Sequence, residues 1–435
     1  MPSFDRPRAT RDFLPPETAV RNHVQGQFAA VAESFGFQAV QTPMFEQAEL
    51  FLAQSGTEIK SALLTFHSDH EEYALRPEMT APVCRLVASG ALEGSAESQK
   101  LYYIAPCFRY CRPQPGRYRE FIQAGIECMG AAGPAFDAEV IAVACRILQR
   151  LGISGYALKI GNIGVFRNLL PPALDSGDRA RVIGHLDRLI SIDDKCRLLS
   201  KTGDAGLIED LNLDRMDLAG LQQQADYSGP HAIEHRPRLS AGEYGELLPR
   251  EAEATFRRVW SVENLIPDDT ADLLLRVSRL RGSLAEVRQE ARAILEGTPA
   301  VGALEELVSV CRHFEMYELG DFEAVLGIAR GFTFYTSTVF EISSQAGNGG
   351  PKYCGGGRYD GLVEEFGGPP LPSTGCAFRF DALVDSFLAE NDWSAPRPYQ
   401  LYLLAEREEI LPRVIAQAEL LRARGLRVGV EVGPQ

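Results

Sequence analysis

The segment FRYCRPQPGRYREF, from Phe108 to Phe121, sets four arginines (Arg109, Arg112, Arg117 and Arg119) among aromatic rings on either side of a Pro-Gly turn. A guanidinium presents its N–H groups in a planar fork that matches carboxylate and phosphate oxygens two at a time, so this much cation in one hairpin points to capture of an anion. Solvated charges on an ordinary surface hairpin are the competing reading. A second cluster weighs against it. From Arg330 to Gly368 a strand-like RGFTFYTSTVFEI leads into YCGGGRYDGLVEEFGG, and LRPEMTAP occupies Leu75 to Pro82. Taken singly, Glu78 reads as a turn carboxylate, Tyr335 as a core ring and Gly355 to Gly357 as a bulge or tight turn. Three glycines beside Arg358 also allow a ligand to approach the backbone closely.

The elements that must position these groups follow from periodicity. LYYIAPCFRY reads as a strand, Pro113 to Gly116 as its turn, and REFIQAGIECMG as the returning strand. Alternation along the second arm places Phe121, Gln123, Gly125 and Glu127 on one face. Upstream, Val20, Val24, Phe28, Val31, Ala32 and Phe35 recur at helical spacing until Gly36 ends the run before the extended FQAVQTP. A helix is expected over about Ala135 to Leu151 and a strand over Tyr156 to Gly161. The chain from about Gly177 to Gly320 is polar and helix-rich, with RARVIGHLDRLI, ADLLLRVSRL and ALEELVSVCRHF between Gly and Pro breaks, and Arg236 to Glu251 lack periodicity. After Asp392, SAPRP reads as a linker. YQLYLLAE, a helix near Glu409 to Arg424 and LRVGVEV then form a β-α-β unit.

Composition bounds the partners. The 435 residues carry a net charge of −15 at pI near 5.1, which speaks against a broad nucleic-acid-binding face, although a local basic stripe can coexist with an acidic whole. Nine scattered cysteines include no CxxC pair and are expected as reduced thiols in the cytosol. His231 and His235 have i,i+4 spacing but lack a third ligand, so no metal site is expected there. No secretory h-region or run of about 18 apolar residues marks a membrane protein.

RPExTA, FRYxRPQxGRYREFxQ, RGxxxYTxTVFE and GGRYDGL follow one another in the order found in the histidyl-tRNA synthetase family, which this chain resembles from Thr10 to about Val432. The resemblance implies an α/β fold in which a class II synthetase-like antiparallel sheet is flanked by helices. It divides the chain into a core of residues 1–170 and 321–390, a helical insertion at 171–320, a linker at 391–397 and a partial anticodon-binding-like unit at 398–435. It implies a histidine pocket in which Glu78, Thr80 and Gln123 hold the ammonium, Glu127, Tyr335 and Tyr359 meet the ring, and Arg330 faces the carboxylate with Arg109 nearby. For a nucleotide it implies Arg109 at the α-phosphate and Arg117 or Arg119 at the outer phosphates, and a homodimeric core.

Two positions depart from the family pattern. Cys111 stands where a glutamate helps to hold adenine, and GCAFRFDAL places Ala382 where the third class II motif has its ATP-binding arginine. Losing one such contact to a reacting phosphate costs about 100- to 1000-fold in rate. Arg379, at a position where the family has glycine, either substitutes for that cation or fills the nucleotide pocket, and obstruction is the expectation. The chain is therefore expected to be a histidine-binding regulatory subunit of ATP phosphoribosyltransferase, itself without a cofactor, partnered by the short-form catalytic subunit. The alternative is an active ligase that uses ATP and Mg²⁺ to join histidine to tRNA.

Overall fold

The computed structural model describes residues 5–54, 62–68, 70–92, 98–111, 118–202, 250, 253–254, 256–257, 259–261, 265–328, 334–345 and 350–432. Its chain divides into two units, residues 1–11 with 24–390, and residues 12–23 with 391–435.

The first unit is built on a nine-stranded sheet. Its strands are β1 (Gln38–Ala39), β5 (Gln99–Phe108), β6 (Glu120–Met129), β12 (Ser373–Arg379), β11 (Lys352–Arg358), β10 (Thr338–Ser344), β7 (Tyr156–Asn162), β9 (Glu323–Val325) and β8 (Arg281–Gly282), in that spatial order. The pairs β1/β5 and β7/β9 are parallel and the others antiparallel. A separate three-stranded sheet joins β2 (Phe45–Gln47), β4 (Glu71–Leu75) and β3 (Leu64–Ser68).

Helix α1 (Pro15–Ser34) ends before Gly36, whose φ of +82° suits a residue without a Cβ. Its Phe28 meets Phe378 of β12 edge-on at 5.4 Å, so Phe378 marks the helix-covered face of the sheet. Helix α2 (Thr80–Ala88) follows the RPE segment, and α3 (Pro134–Arg150) starts at a proline, which lacks the N–H that a helix start leaves unbonded anyway. In the polar central region lie α4 (Ser176–Thr202), α5 (Asp268–Ser278), α6 (Leu284–Leu295) and α7 (Ala300–Glu315). Helix α7 packs on α3, and a capping box of Ser283 and Glu286 starts α6. Helix α8 (Phe380–Glu390) continues directly from β12. His231, His235 and most of Arg236 to Glu251 lie outside the described residues.

The second unit carries β13 (Leu401–Ala405), α9 (Leu411–Arg422) and β14 (Val428–Val432), with the strands parallel as a β-α-β connection requires. Among the described residues no helix is long and apolar enough to cross a membrane. All nine cysteines are free; eight are buried and Cys111 is half-buried.

Two expectations need correction. Of the strand predicted from Arg330, residues 330–333 lie outside the described residues and 334–337 are not strand, which starts at Thr338: Tyr335 turns its ring onto the backbone of Gly357, and the Thr336 N–H bonds the Arg358 carbonyl at 2.8 Å beside the ladder. Gly355 to Gly357 form neither a turn nor a bulge. They are consecutive residues of β11 in regular register with β10 and β12.

Candidate active site

Cross-strand register assembles the site on the sheet face opposite Phe378. Tyr103, Gly125 and Ala377 stand side by side on β5, β6 and β12, and Glu127, Gly375 and Gly357 do so on β6, β12 and β11. At three of these places a methyl group would collide with a neighbour. One on Gly125 would strike the Tyr103 hydroxyl, one on Gly375 the Glu127 carboxylate, and one on Gly357 would come within 3.0 Å of the Tyr335 ring. The glycines let the side chains of Tyr103, Glu127 and Tyr335 lie close on the backbone of this sheet face.

Glu127 is at the centre, 1% exposed. One carboxylate oxygen accepts from the Thr80 hydroxyl at 2.9 Å and the Tyr103 hydroxyl at 3.2 Å, and the other accepts from Tyr359. Burial raises its pKa to about 8; the hydroxyl donors oppose this and the Glu78 charge adds to it. Burial thus favours the neutral acid, and a bound cationic group would favour the carboxylate.

Glu78, also buried, accepts the Thr80 and Ala81 N–H groups at 2.6 and 2.9 Å, so from just before the N-cap Met79 it satisfies the first two N–H groups of α2. Burial raises its pKa as well, against those N–H bonds and the Arg109 charge. Gln123 accepts the Met79 N–H at 2.8 Å on its amide oxygen, which locks β6 to the start of the same helix. Arg76 holds the segment from below, donating to the Pro106 carbonyl at 2.7 Å and to Thr42 at 2.8 Å.

Tyr359 is held by a buried ion-pair network. Arg358, 4% exposed, pairs with Asp137 at 2.7 Å and with Asp360 at 3.0 Å, and Asp137 also accepts from Thr338 at 2.7 Å. Burial disfavours the Arg358 charge, but the two carboxylates outweigh it and raise its pKa.

The arginine end is built differently. Arg109 donates Nε–H to the Pro77 carbonyl at 2.7 Å, its guanidinium stands 5.3 Å from the Phe121 ring, and its N–H bonds the Arg119 carbonyl at 2.9 Å. The Arg119 guanidinium lies 4.9 Å from the Tyr110 ring. Arg379 is exposed at the end of β12, in register with Gln123 and on its face. Arg117 and Arg330 lie outside the described residues. Beside Ala382 stands a cation that sequence reasoning missed: Arg11 pairs with Asp381 at 2.9 Å, and its guanidinium stacks 3.7 Å from the centre of the Tyr118 ring.

The structure therefore brings together Glu78, Thr80, Gln123, Glu127, Tyr335 and Tyr359, with Arg109 at the rim. Sequence reasoning also missed Tyr103 and Asp137. Tyr103 could be found by extending the hairpin register from Gln123 and Glu127, and Asp137 as one of two acids, with Glu139, in the otherwise apolar AFDAEVIAV.

The family model for histidyl-tRNA synthetase matches residues 9–192 and 239–383. The chain belongs to the histidyl-tRNA synthetase family. Its relatives include the histidine--tRNA ligase of Methanocaldococcus jannaschii, 31% identical over 436 residues that span 99% of this chain and 86% of that protein. The histidine--tRNA ligase of Archaeoglobus fulgidus is 32% identical over 430 residues, with the same shares. A solved structure from Bacillus halodurans C, described as an ATP phosphoribosyltransferase regulatory subunit/histidyl-tRNA synthetase, superposes with a TM-score of 0.68 at 23% identity, covering 99% of this chain and 93% of that one. At that identity the likeness shows the class II synthetase-like fold alone.

These relatives overturn the expectation of a regulatory subunit of ATP phosphoribosyltransferase: full-length similarity runs to synthetases named as ligases. The expectation rested on a nucleotide seat stripped of its cation at Ala382. That expectation weighed Cys111, Arg379 and Ala382 but not Arg11, whose guanidinium reaches the adjacent Asp381.

Proposed function

We propose that this chain is a histidine--tRNA ligase, which activates histidine with ATP and transfers it to tRNA. The observation that carries this reading is similarity to curated ligases of that name over 99% of the chain. The glycine-floored pocket supports it through its fit to a small zwitterion with a ring that can donate and accept hydrogen bonds.

In this reading Glu78, Thr80 and Gln123 receive the ammonium, Glu127 and Tyr359 fix the imidazole tautomer, and Tyr335 closes the pocket. Arg330 and Arg109 hold the histidine carboxylate against the α-phosphate. A carboxylate oxygen attacks the α-phosphorus, the bond to the bridging oxygen breaks and pyrophosphate leaves. Arg109, with Arg117 or Arg119, offsets the charge that develops there. Arg379 borders the nucleotide. The histidyl group then passes to a tRNA hydroxyl as AMP departs. Among the described residues no three His, Cys, Asp or Glu side chains converge on a metal site, so Mg²⁺ fits as a companion of the triphosphate, supplying charge neutralisation there.

The same reading takes residues 1–170 and 321–390 as the catalytic core, 171–320 as a helical insertion and 391–397 as a linker. Residues 398–435 are a unit that contacts tRNA. A homodimeric core is supported by the exposed apolar Met44, Phe45 and Phe66, and the cytosol is the compartment that supplies ATP and tRNA. Histidine-dependent exchange of pyrophosphate into ATP, followed by histidylation of tRNA, tests the proposal. Absence of exchange with the full chain would overturn it.

A further inference from the structure

The N-terminal segment does something for which the family motifs assign no residue. Pro7 to Thr10 form a tight turn, closed by the Thr10 hydroxyl on the Pro7 carbonyl at 2.8 Å. Within it Ala9 has φ +61°, a left-handed conformation that a residue with a Cβ rarely adopts and that tertiary contacts must maintain. That conformation aims the Ala9 carbonyl at the Arg119 N–H, 2.8 Å away. Two residues on, Arg11 stacks on Tyr118 and pairs with Asp381 in the first turn of α8, with side-chain exposures of 26% and 23%. One short stretch thus grips the returning arm of the arginine hairpin through both backbone and side chain, and ties it to the helix that carries Ala382. The grip continues inward, because the Arg119 carbonyl accepts the Arg109 N–H and Arg109 bonds the Pro77 carbonyl beside Glu78.

We propose that Arg11 is a positioning residue for nucleotide binding: by clasping Tyr118 to Asp381 it holds Arg119 and Arg109 where the triphosphate of ATP is received. The proposal rests on the ligase reading for the identity of the nucleotide. With Ala382 the start of this helix carries no arginine of its own, and the adjacent Asp381 instead holds a cation from a distant part of the chain. Direct contact of Arg11 with phosphate is the competing role. Asp381 separates the two, because it lies on the clasp and is itself an anion that would repel phosphate.

The test compares the full chain with Arg11→Gln, Arg11→Lys and Asp381→Asn in pyrophosphate exchange, in calorimetric binding of histidine, and in hydrogen exchange of the peptide covering Tyr118 to Phe121. For a clasp, Arg11→Gln raises the KM for ATP by about 10- to 100-fold, a range set by loss of a charge-assisted contact, while histidine affinity stays within about threefold. Asp381→Asn shifts the KM for ATP in the same direction, Arg11→Lys recovers part of the loss, and both Arg11→Gln and Asp381→Asn speed exchange of the Tyr118 to Phe121 amides. An unchanged KM for ATP in Asp381→Asn beside a raised one in Arg11→Gln would overturn the clasp in favour of direct contact. Unchanged amide protection in Arg11→Gln would overturn it independently of any activity. Failure of the wild-type chain to exchange pyrophosphate would instead count against the ligase reading and leave the amide measurement decisive for the clasp.

Discussion

The two ends of the site are held by opposite means. Around Glu127 the groups are buried, the hydroxyls are committed to one carboxyl, and the floor is glycine, so geometry is fixed by packing within one sheet. Around Arg109 and Arg119 the cations rest on aromatic rings and backbone carbonyls at a half-open rim, and their placement relies on a segment about a hundred residues away in sequence. A buried polar end loses the full desolvation term when one partner is removed, whereas a half-exposed cation is screened and partly replaced by water. The amino-acid end should therefore tolerate far less change than the nucleotide end.

The largest effect is expected beneath Tyr359. Asp137→Asn leaves Arg358 buried with only Asp360 as a charged partner and should cost about 3 kcal/mol of unfolding free energy, measured by denaturant titration. A loss below about 1 kcal/mol would mean that the network is not what stiffens the pocket. Next, Glu127→Ala strips the shared acceptor from Thr80, Tyr103 and Tyr359 and should weaken histidine binding about 100-fold, or about 2.7 kcal/mol, by calorimetry. Arg119→Gln should raise the KM for ATP only about tenfold, or about 1.4 kcal/mol, with histidine binding unchanged. Were it to cost more than Glu127→Ala, the contrast between the two ends would be inverted.

The smallest effect is one of pH. Because the Glu127 pKa is about 8 in the fold against 4.5 for an ordinary glutamate, the folded state binds the extra proton between those values. Its contribution to stability is fully present below pH 4.5 and is lost as pH rises through 8. Thermal stability should fall with a shallower slope across that window in Glu127→Gln than in the parent chain. An identical slope would place the titrating group elsewhere. Histidine binding near pH 7 should release protons in the parent and fewer in Glu127→Gln, read from calorimetry in buffers of different ionisation enthalpy.

Local pattern carried much of this. The period-two alternation of the returning strand puts Gln123 and Glu127 on one face. The helices over Val20 to Phe35 and Ala135 to Leu151 announced themselves by spacing, as did the strand at Tyr156. Three things were not legible. RGFTFYT alternates like a strand, but Tyr335 leaves the ladder because Gly357 offers it a flat seat, a contact between residues 22 positions apart. Three adjacent glycines resemble a turn or bulge, and only the side chains of neighbouring strands explain why they lie in a strand. Arg11 sits in a charged, Pro-broken leader with no periodic signal, and its meaning depends on a partner at the far end of the core.

The thiol inventory has a practical corollary. Burial lifts Cys107, Cys128, Cys145 and Cys311 to about 12, and those thiols stay protonated and sheltered from reagents. Cys111, at the base of the arginine hairpin, is half-buried where the other eight are buried. A maleimide dye would accordingly settle on that sulfur first, which gives the native sequence a built-in fluorescent reporter beside the rim.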